Sequence, residues 1–475
     1  MKPVLVPLRA EFAKFRRVRS WVIALCAAVT VFVLLSFLSA FESRAPVGAV
    51  PVGPGGEAVS DTYMFVHQAL AGDGTLTARV TALSGTPELA PWAKAGIILE
   101  PDTNQGTAYA AVMVTGDHGI RMQDNYTHDR PGLPGRVGLS SPRWLRLSRA
   151  GDIITGYDST DGTHWTEIAS ARLAGLPRTV RTGLFVTAPE YFVAGAVAGT
   201  PSAATASFDW VSVHGGLPSR PWTGTAIAGS YPVASAPTWK QVSASAFTMT
   251  GSGDIAPLVG DIISAQWAGA SIVNGTIAAL LVVIVLTALF ATSQYRRGSV
   301  RTALAAGPHR GQFLATRAVV AGSLASAAGF TATALAEVIT RHVLASNGSY
   351  LFPQSGPGLA RVIIGTGLLL GLAAALVVAL GAMLRRSAVT VAAGIVLLVL
   401  PGILGAQTGN WLMRFTPTAA FAIQATLPRS SLVTSAYTPP NGYFPVSPWA
   451  GLAVLAAYTA AALTAATWLL RHRDA

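Results

Sequence analysis

The stretch RWLRLSRAGDIITGYDSTDGTHWTEI (143–168) reads as three consecutive β-strands. In RWLRLSR, Leu145 and Leu147 fall on one face, and Trp144 and Arg146 on the other. Gly151-Asp152 then leads into IITGYDS, and Asp161-Gly162 turns that strand into HWTEI. A period of two, broken by Gly-Asp and Asp-Gly pairs, is a strong hairpin signal, because those residues tolerate the backbone of a tight turn. The stretch predicts an antiparallel sheet with one face on a core and the other open.

Working outward, LTARVTAL (76–83) begins with the same alternation. Residues 57–214 are expected to form an all-β domain large enough for its own core. A Gly/Pro/Val-rich linker, 42–56, precedes it. Residues 215–271, rich in Ser, Ala, Pro and Gly, are expected as a stalk, or a few added strands, leading on to the next segment. Beyond these limits the character changes. An apolar run at 21–41 is followed by five more near 272–292, 313–339, 359–384, 388–406 and 449–470. A helix of about 20 such residues crosses a bilayer. The first run is longer than the apolar part of a cleaved signal peptide. Pro401 is expected to kink the fifth span. The expected fold class is an α-helical polytopic membrane protein with six transmembrane helices and an inserted all-β extracytoplasmic jelly-roll sandwich.

Composition agrees. Only 11% of the 475 residues are charged, against about 25% in soluble domains. The net charge of +12 is unevenly placed: residues 42–275 hold 14 Lys/Arg against 18 Asp/Glu, and the rest 19 against 3. The basic surplus thus flanks the apolar runs, which points to anionic lipid and not to nucleic acid. Arg296, Arg297, Arg301 and Arg310, then Arg385 and Arg386, then Arg471 and Arg473 fall on one side of six spans. By the positive-inside rule that side is cytoplasmic, both termini lie there, and the β domain lies outside a plasma membrane. Arg341, Arg361, Arg414 and Arg429 are left outside. Residues 1–20, with six Lys/Arg among spaced apolar residues, predict a basic amphipathic helix on the inner surface. Cys26 is the only cysteine, so no disulfide forms within the chain. No metal is expected: Asp102, Asn104 and Gly106 resemble the start of a calcium loop but no acid closes it, and His118, His128 and His164 lack ligand spacing. Glu337, in the third run, and Arg341, one turn on, are expected to pair near the outer surface.

Four fragments carry a family resemblance: EFAKFRRVRSW (11–21), SQYRRGSVRTALAAGPHRGQFLATRAVV (293–320), WLMRFTPTAAFAI (411–423) and the terminal LLRHRDA (469–475). In this order they resemble type-2 ABC transporter permeases of actinobacterial kind, over residues 1–41 and 272–475. The resemblance implies an exporter in which two permease subunits, like or unlike, enclose a path. It also implies a separate cytoplasmic ABC ATPase that holds ATP and Mg²⁺. The chain itself has no G-x-x-x-x-G-K-[ST], and none of its four lysines follows a glycine, so no phosphate-cradling loop of that kind is present. No cofactor and no catalytic residue are expected in this chain. The ATPase-coupling element is expected between Tyr295 and Gln312, with Tyr295, Arg296, Arg297, Gly298, Arg301, Pro308 and Arg310 as its contacts. Residues 407–447 resemble the family's outer segment, which dips partly back into the membrane.

The β region resembles a concanavalin A-like, laminin G-like jelly roll through AKAGIILEP (93–101), AVMVTGDHGIRMQ (111–123), residues 144–168 and ASFDWVSV (206–213). That resemblance implies glycan binding, with Trp144 and Arg146 as candidate contacts. Trp92, Trp144 and Trp165 are each more often residues of a sandwich core or hairpin filler than sugar contacts. Two other readings stand beside the transporter: a membrane-anchored surface receptor for glycans, and a glycoside hydrolase. The second needs two facing carboxylates, and no sequence pattern pairs any.

Overall fold

A computed structural model describes residues 19–42, 50–138, 141–191, 200–215, 221–228, 234–258, 268–296, 310–347, 351, 354–405, 411–426 and 444–472. These form two compact units, a helical one from both ends of the chain and a β one from the middle.

The β unit holds sixteen strands: β1 (Val59–Asp61), β2 (Tyr63–Ala71), β3 (Gly74–Thr86), β4 (Lys94–Glu100), β5 (Ala110–Thr115), β6 (Ile120–Asp124), β7 (His128–Pro131), β8 (Arg143–Ala150), β9 (Ile153–Ser159), β10 (Thr166–Arg172), β11 (Thr179–Thr187), β12 (Ala203–Gly215), β13 (Thr223–Ile227), β14 (Thr238–Ser243), β15 (Ala246–Gly251) and β16 (Ile255–Pro257). They make two seven-stranded antiparallel sheets, ordered β10-β9-β8-β3-β12-β15-β14 and β13-β2-β11-β4-β5-β6-β7, and a small β1-β16 pair. The predicted hairpins are present: β8 pairs with β9 and β9 with β10. The inner residues of both sheets meet in one core. Leu76, Ala78, Leu145 and Leu147 of the first sheet pack with Val66, Ile97, Val112 and Leu184 of the second. The two sheets are thus a sandwich.

The second sheet is buried on its other face as well. Tyr63, Phe65, Ile98, Tyr109 and Tyr126 there cluster with Val59 of β1 and Ile255 of β16. This is why β4 and β5 show no alternation and are buried throughout. Residues 223–227 and 238–251, within the segment expected as a stalk or a few added strands, add strands to both sheets. β13 pairs with β2, and β15 pairs with β12. AFTMTG alternates, placing Phe247 and Met249 in the main core, so its burial face draws it into the sheet.

The helical unit contains α1 (Arg19–Glu42), α2 (Ala268–Arg296), α3 (Arg310–Ser346), α4 (Gly356–Leu384), α5 (Ser387–Leu398), α6 (Leu400–Gly405), α7 (Trp411–Phe415), a 3₁₀ helix (Pro417–Gln424) and α8 (Pro448–His472). Among the described residues, six segments are long and apolar enough to cross a membrane: 21–42, 271–293, 311–346, 356–384, 387–404 and 448–472. The fifth is broken at Val399, two residues before Pro401. Proline has no N–H for the helical bond and its ring crowds the carbonyl four residues back. Small residues let α3 and α4 approach closely: a Cβ on Gly329 would lie 2.8 Å from Gly367 Cα, and one on Gly322 3.1 Å from the Gly371 carbonyl oxygen. Without a hydrophobic drive between helices in lipid, such close backbone contact is a main source of association. Buried Gln424 donates to Thr276 Oγ1 at 2.7 Å and Thr366 Oγ1 at 2.9 Å, tying the 3₁₀ helix to α2 and α4.

Candidate functional site: an aromatic groove on the open face of the β unit

The outer face of the first sheet follows from its register. Trp144 and Arg146 on β8 stand opposite Arg79 and Thr77 on β3, and Thr77 in turn stands opposite Ser212 on β12. Leu145 and Leu147 point the other way and are fully buried. The strand alternation therefore places Trp144 and Arg146 on the open face.

A third aromatic joins them through a break in the alternation. Asp209 pairs with Arg79 and Ser212 with Thr77, so Trp210 and Val211 together oppose the single Ala78. This is a β-bulge, which re-aims side chains by one position. Val211 turns into the core, 6% exposed, while Trp210 stands 62% exposed. The Val211 N–H is held by the Ser245 carbonyl at 3.0 Å, in the β14–β15 turn. Trp210 has a φ of +50°, a region where an L-residue brings its Cβ against the following carbonyl.

The fourth part is the β9–β10 turn. Asp161 Oδ1 accepts from the Thr163 and His164 N–H groups, both at 2.8 Å, which fixes the turn. Gly162 sits behind Trp144; with φ +77°, a Cβ there would lie 2.7 Å from the indole. Trp165 donates its indole N–H to the Gly162 carbonyl at 3.1 Å. Its ring lies 3.8 Å beneath the Arg146 guanidinium. Arg146 Nε donates to Thr77 Oγ1 at 3.3 Å, and burial lowers the pKa of the guanidinium from its ordinary value. Asp209 takes a two-pronged bond from Arg79, at 2.7 and 2.5 Å, and Arg79 lies 5.5 Å over Trp144. The Trp144 and Trp210 rings are 6.2 Å apart. Thr77, Trp144, Arg146, Gly162, Trp165 and Trp210 border a groove of about 360 Å³, with Thr75, Ser212, His214 and Ser245 completing its edge. Arg79, Asp161 and Asp209 support these residues from outside the lining. That volume falls within the roughly 300–1,000 Å³ of small-molecule sites.

The structure thus brings the two sequence candidates, Trp144 and Arg146, into one groove. Sequence reasoning missed Trp210, because strict alternation puts Trp210 on the same face as Phe208. Trp165 was read as core or filler and instead floors Arg146. Trp92 does belong to the interior: it is 4% exposed and stacks on His118 at 3.9 Å. Asp102 Oδ1 caps the Asn104 N–H at 2.8 Å. Among the described residues no group of three or more His, Cys, Asp or Glu is placed to hold a metal ion.

Among the described residues, two buried carboxylates that act on each other's charge are Asp61, on β1, and Glu100, on β4 of the second sheet. They are 2% and 1% exposed. Tyr63 donates to Glu100 Oε2 at 2.6 Å, and the Gly106 N–H donates to Asp61 Oδ2 at 2.8 Å. Burial pushes Asp61 up to about 7 and Glu100 well above the usual carboxylate range. With both carboxylates buried, and Asp61 part of β1 itself, the two do not face each other across an open cleft.

In the helical unit, α2 ends at Tyr295-Arg296 and α3 opens at Arg310. Arg297, Gly298, Arg301 and Pro308 lie outside the described residues, as does most of the expected amphipathic helix. Arg317, one turn beyond Phe313, is buried and donates to the Phe290 and Ala291 carbonyls of α2. Its guanidinium lies over the Phe290 ring at 4.5 Å. Glu337 is 3% exposed, with the charge of Arg341 acting on it. An apolar cavity of about 370 Å³ lies between α2, the α5–α6 break, Met413 and Phe421.

No family model matches the chain, and no curated protein sequence matches it significantly. Solved structures overlap it in part. A functionally unknown protein from Saccharomyces cerevisiae is 14% identical over 37% of this chain and 86% of its own, with a TM-score of 0.24. SCP-B, a member of the eqolisin peptidase family, is 13% identical over 41% and 99%, with a TM-score of 0.27. Scytalido-glutamic peptidase is 10% identical over 40% and 98%, with a TM-score of 0.28. None of these overlaps is close enough to carry a conclusion about function.

Proposed function

We propose that this chain is the membrane-spanning permease subunit of a type-2 ABC exporter, driven by a separate cytoplasmic ATPase. In this reading two permease subunits, alike or different, pair in a plasma membrane among its lipids. The β unit, a jelly-roll sandwich of concanavalin A-like kind, stands outside and binds saccharide in its aromatic groove. The observation that carries the reading is the arrangement of spans: one apolar helix precedes the β unit and five follow. Six candidate spans exceed what anchoring a receptor requires, and by the positive-inside rule the arginines between the second and third, between the fourth and fifth, and after the sixth would share the cytoplasmic side. The four ordered sequence fragments support the family reading, and the lack of a phosphate loop in this sequence agrees with ATP hydrolysis by a partner chain.

The test is purification of the full chain in mild detergent from its own cells. The expected result is a soluble ATPase that co-purifies and hydrolyses ATP in the complex. Repeated recovery of the chain without any ATPase overturns the transporter and leaves the surface-receptor reading, which the groove alone supports. Within the complex, Arg297→Glu together with Arg301→Glu is expected to uncouple hydrolysis from transport. Unchanged coupling reduces those arginines to setting topology.

A further inference from the structure

We infer that the groove of Trp144, Arg146, Trp165 and Trp210 selects acidic saccharides, glycans whose sugar rings carry a carboxylate. The inference rests on the saccharide reading of the same groove and adds the class of ligand.

The aromatic part suits a sugar. Pyranose rings have apolar C–H faces ringed by hydroxyls, and rigid indoles cover such faces at little entropic cost. Trp210 is 62% exposed and stands beside Trp144 at the groove edge. Thr75, Thr77, Ser212 and Ser245 bring hydroxyl groups to the same edge, and each hydroxyl both donates and accepts.

The charge pattern suits an acid. Among the described residues lining the groove there is no Asp or Glu, whereas Arg146 and His214 are present. Arg79 is already matched by Asp209 in a two-pronged bond. Arg146 is not matched in that way: its bonds are one Nε–H to Thr77 and its stacking on Trp165. Its Nη1 and Nη2 make no hydrogen bond among the described residues. Stacking on an indole and bonding at Nε hold the guanidinium plane in place while its outer N–H fork stays unused. A fork held in that way is preorganised for a carboxylate, which accepts two parallel N–H bonds. A neutral sugar meets only half of this site, since its hydroxyls bond a guanidinium without charge.

The experiment uses the full chain in nanodiscs of phosphatidylcholine, a lipid without net charge, and isothermal titration calorimetry. The probes are oligosaccharides of galacturonic and glucuronic acid, each beside its methyl ester, which keeps the shape and removes the charge. The acids are expected to bind about 10- to 100-fold more tightly than their esters, the span of one charged hydrogen-bonded contact. Arg146→Gln should abolish the preference, and Arg146→Lys, which keeps the charge but not the fork, should retain part of it. Trp210→Gly should weaken acids and esters alike. Equal binding of acid and ester overturns acid selection and leaves saccharide binding standing. A preference that survives Arg146→Gln overturns the assignment to Arg146. No binding by any acid or ester overturns both readings.

Discussion

Replacing Trp210 by glycine and by alanine tests whether the bulge that exposes it is held against a local cost. Both variants lose the same indole contacts, so the comparison between them isolates the backbone. At an ordinary strand position glycine is less stable than alanine by about 0.5–1 kcal/mol, because its unfolded chain is freer. At the φ of +50° found here, alanine meets the left-handed penalty of about 1–2 kcal/mol and glycine does not. At the middle of both ranges the two terms leave glycine ahead by about 0.75 kcal/mol. In a unit of this size that is a melting point higher by about 1–4 °C. Scanning calorimetry of the β-unit transition, in the full chain in detergent, measures it. Lys240, exposed on β14, serves as control, and there glycine should melt below alanine. If Trp210→Gly melts at or below Trp210→Ala, the backbone at this position is not left-handed and the account of the bulge fails.

Three further outcomes follow from the geometry. Asp61 has its pKa raised to about 7 by burial, so its folded form holds a proton that the unfolded chain releases near pH 4. Folding stability is therefore lost as pH rises from about 4 through 7, by up to about 4 kcal/mol for this one group. Asp61→Asn, which keeps an oxygen for the Gly106 N–H, should gain most of that difference over the parent at pH 8 and little at pH 4, by denaturation across pH. Gly162→Ala would press a Cβ to 2.7 Å from the Trp144 indole at a φ of +77°. It should cost about 1 kcal/mol of stability and, by calorimetric titration, weaken saccharide binding by displacing the ring. In the helical unit, a Cβ on Gly367 would fall 2.1 Å from the Phe330 ring, so Gly367→Ala should destabilise the bundle by about 1–3 kcal/mol in detergent melting, whereas Gly356→Ala, which meets open space, should not.

What the sequence made legible was whatever a short window determines. Leu145 and Leu147 against Trp144 and Arg146 settle which side of β8 is buried, and Asp-Gly and Gly-Asp settle where the strands turn. The apolar runs likewise locate six long apolar helical segments to within a few residues, except the third, whose helix continues to Ser346 because Arg341 and His342 do not interrupt a helical backbone. Non-local features were illegible. The stretch 215–271 could be read only as a stalk or a few added strands, without placing β13 and β15 in their sheets, because strand pairing across many residues leaves no local mark. The groove is assembled from β3, β8, β12 and two turns, so neither its depth nor the stacking of Arg146 on Trp165 is written in any one segment.

Trp210 shows why the most exposed part of the groove was also the hardest to foresee. Its sequence context, FDWVSV, alternates well enough that regular pairing would bury it beside Phe208. Two constraints defeat that register. Val211 takes the core position instead, and the Ser245 carbonyl holds its N–H there. The extra residue must then be absorbed in a left-handed conformation that glycine fills at least cost. A sequence shaped for folding alone would place glycine at 210 and leave no large apolar ring in water. Tryptophan there breaks that local rule, its ring 62% exposed and 6.2 Å from that of Trp144. Such breaks mark positions where a side chain serves contact with something else. The neighbouring Arg146 breaks a parallel rule, a partly desolvated cation without an ion-pair partner among the described residues. Both departures meet in the same groove, and one ligand with an apolar face and a negative charge resolves both.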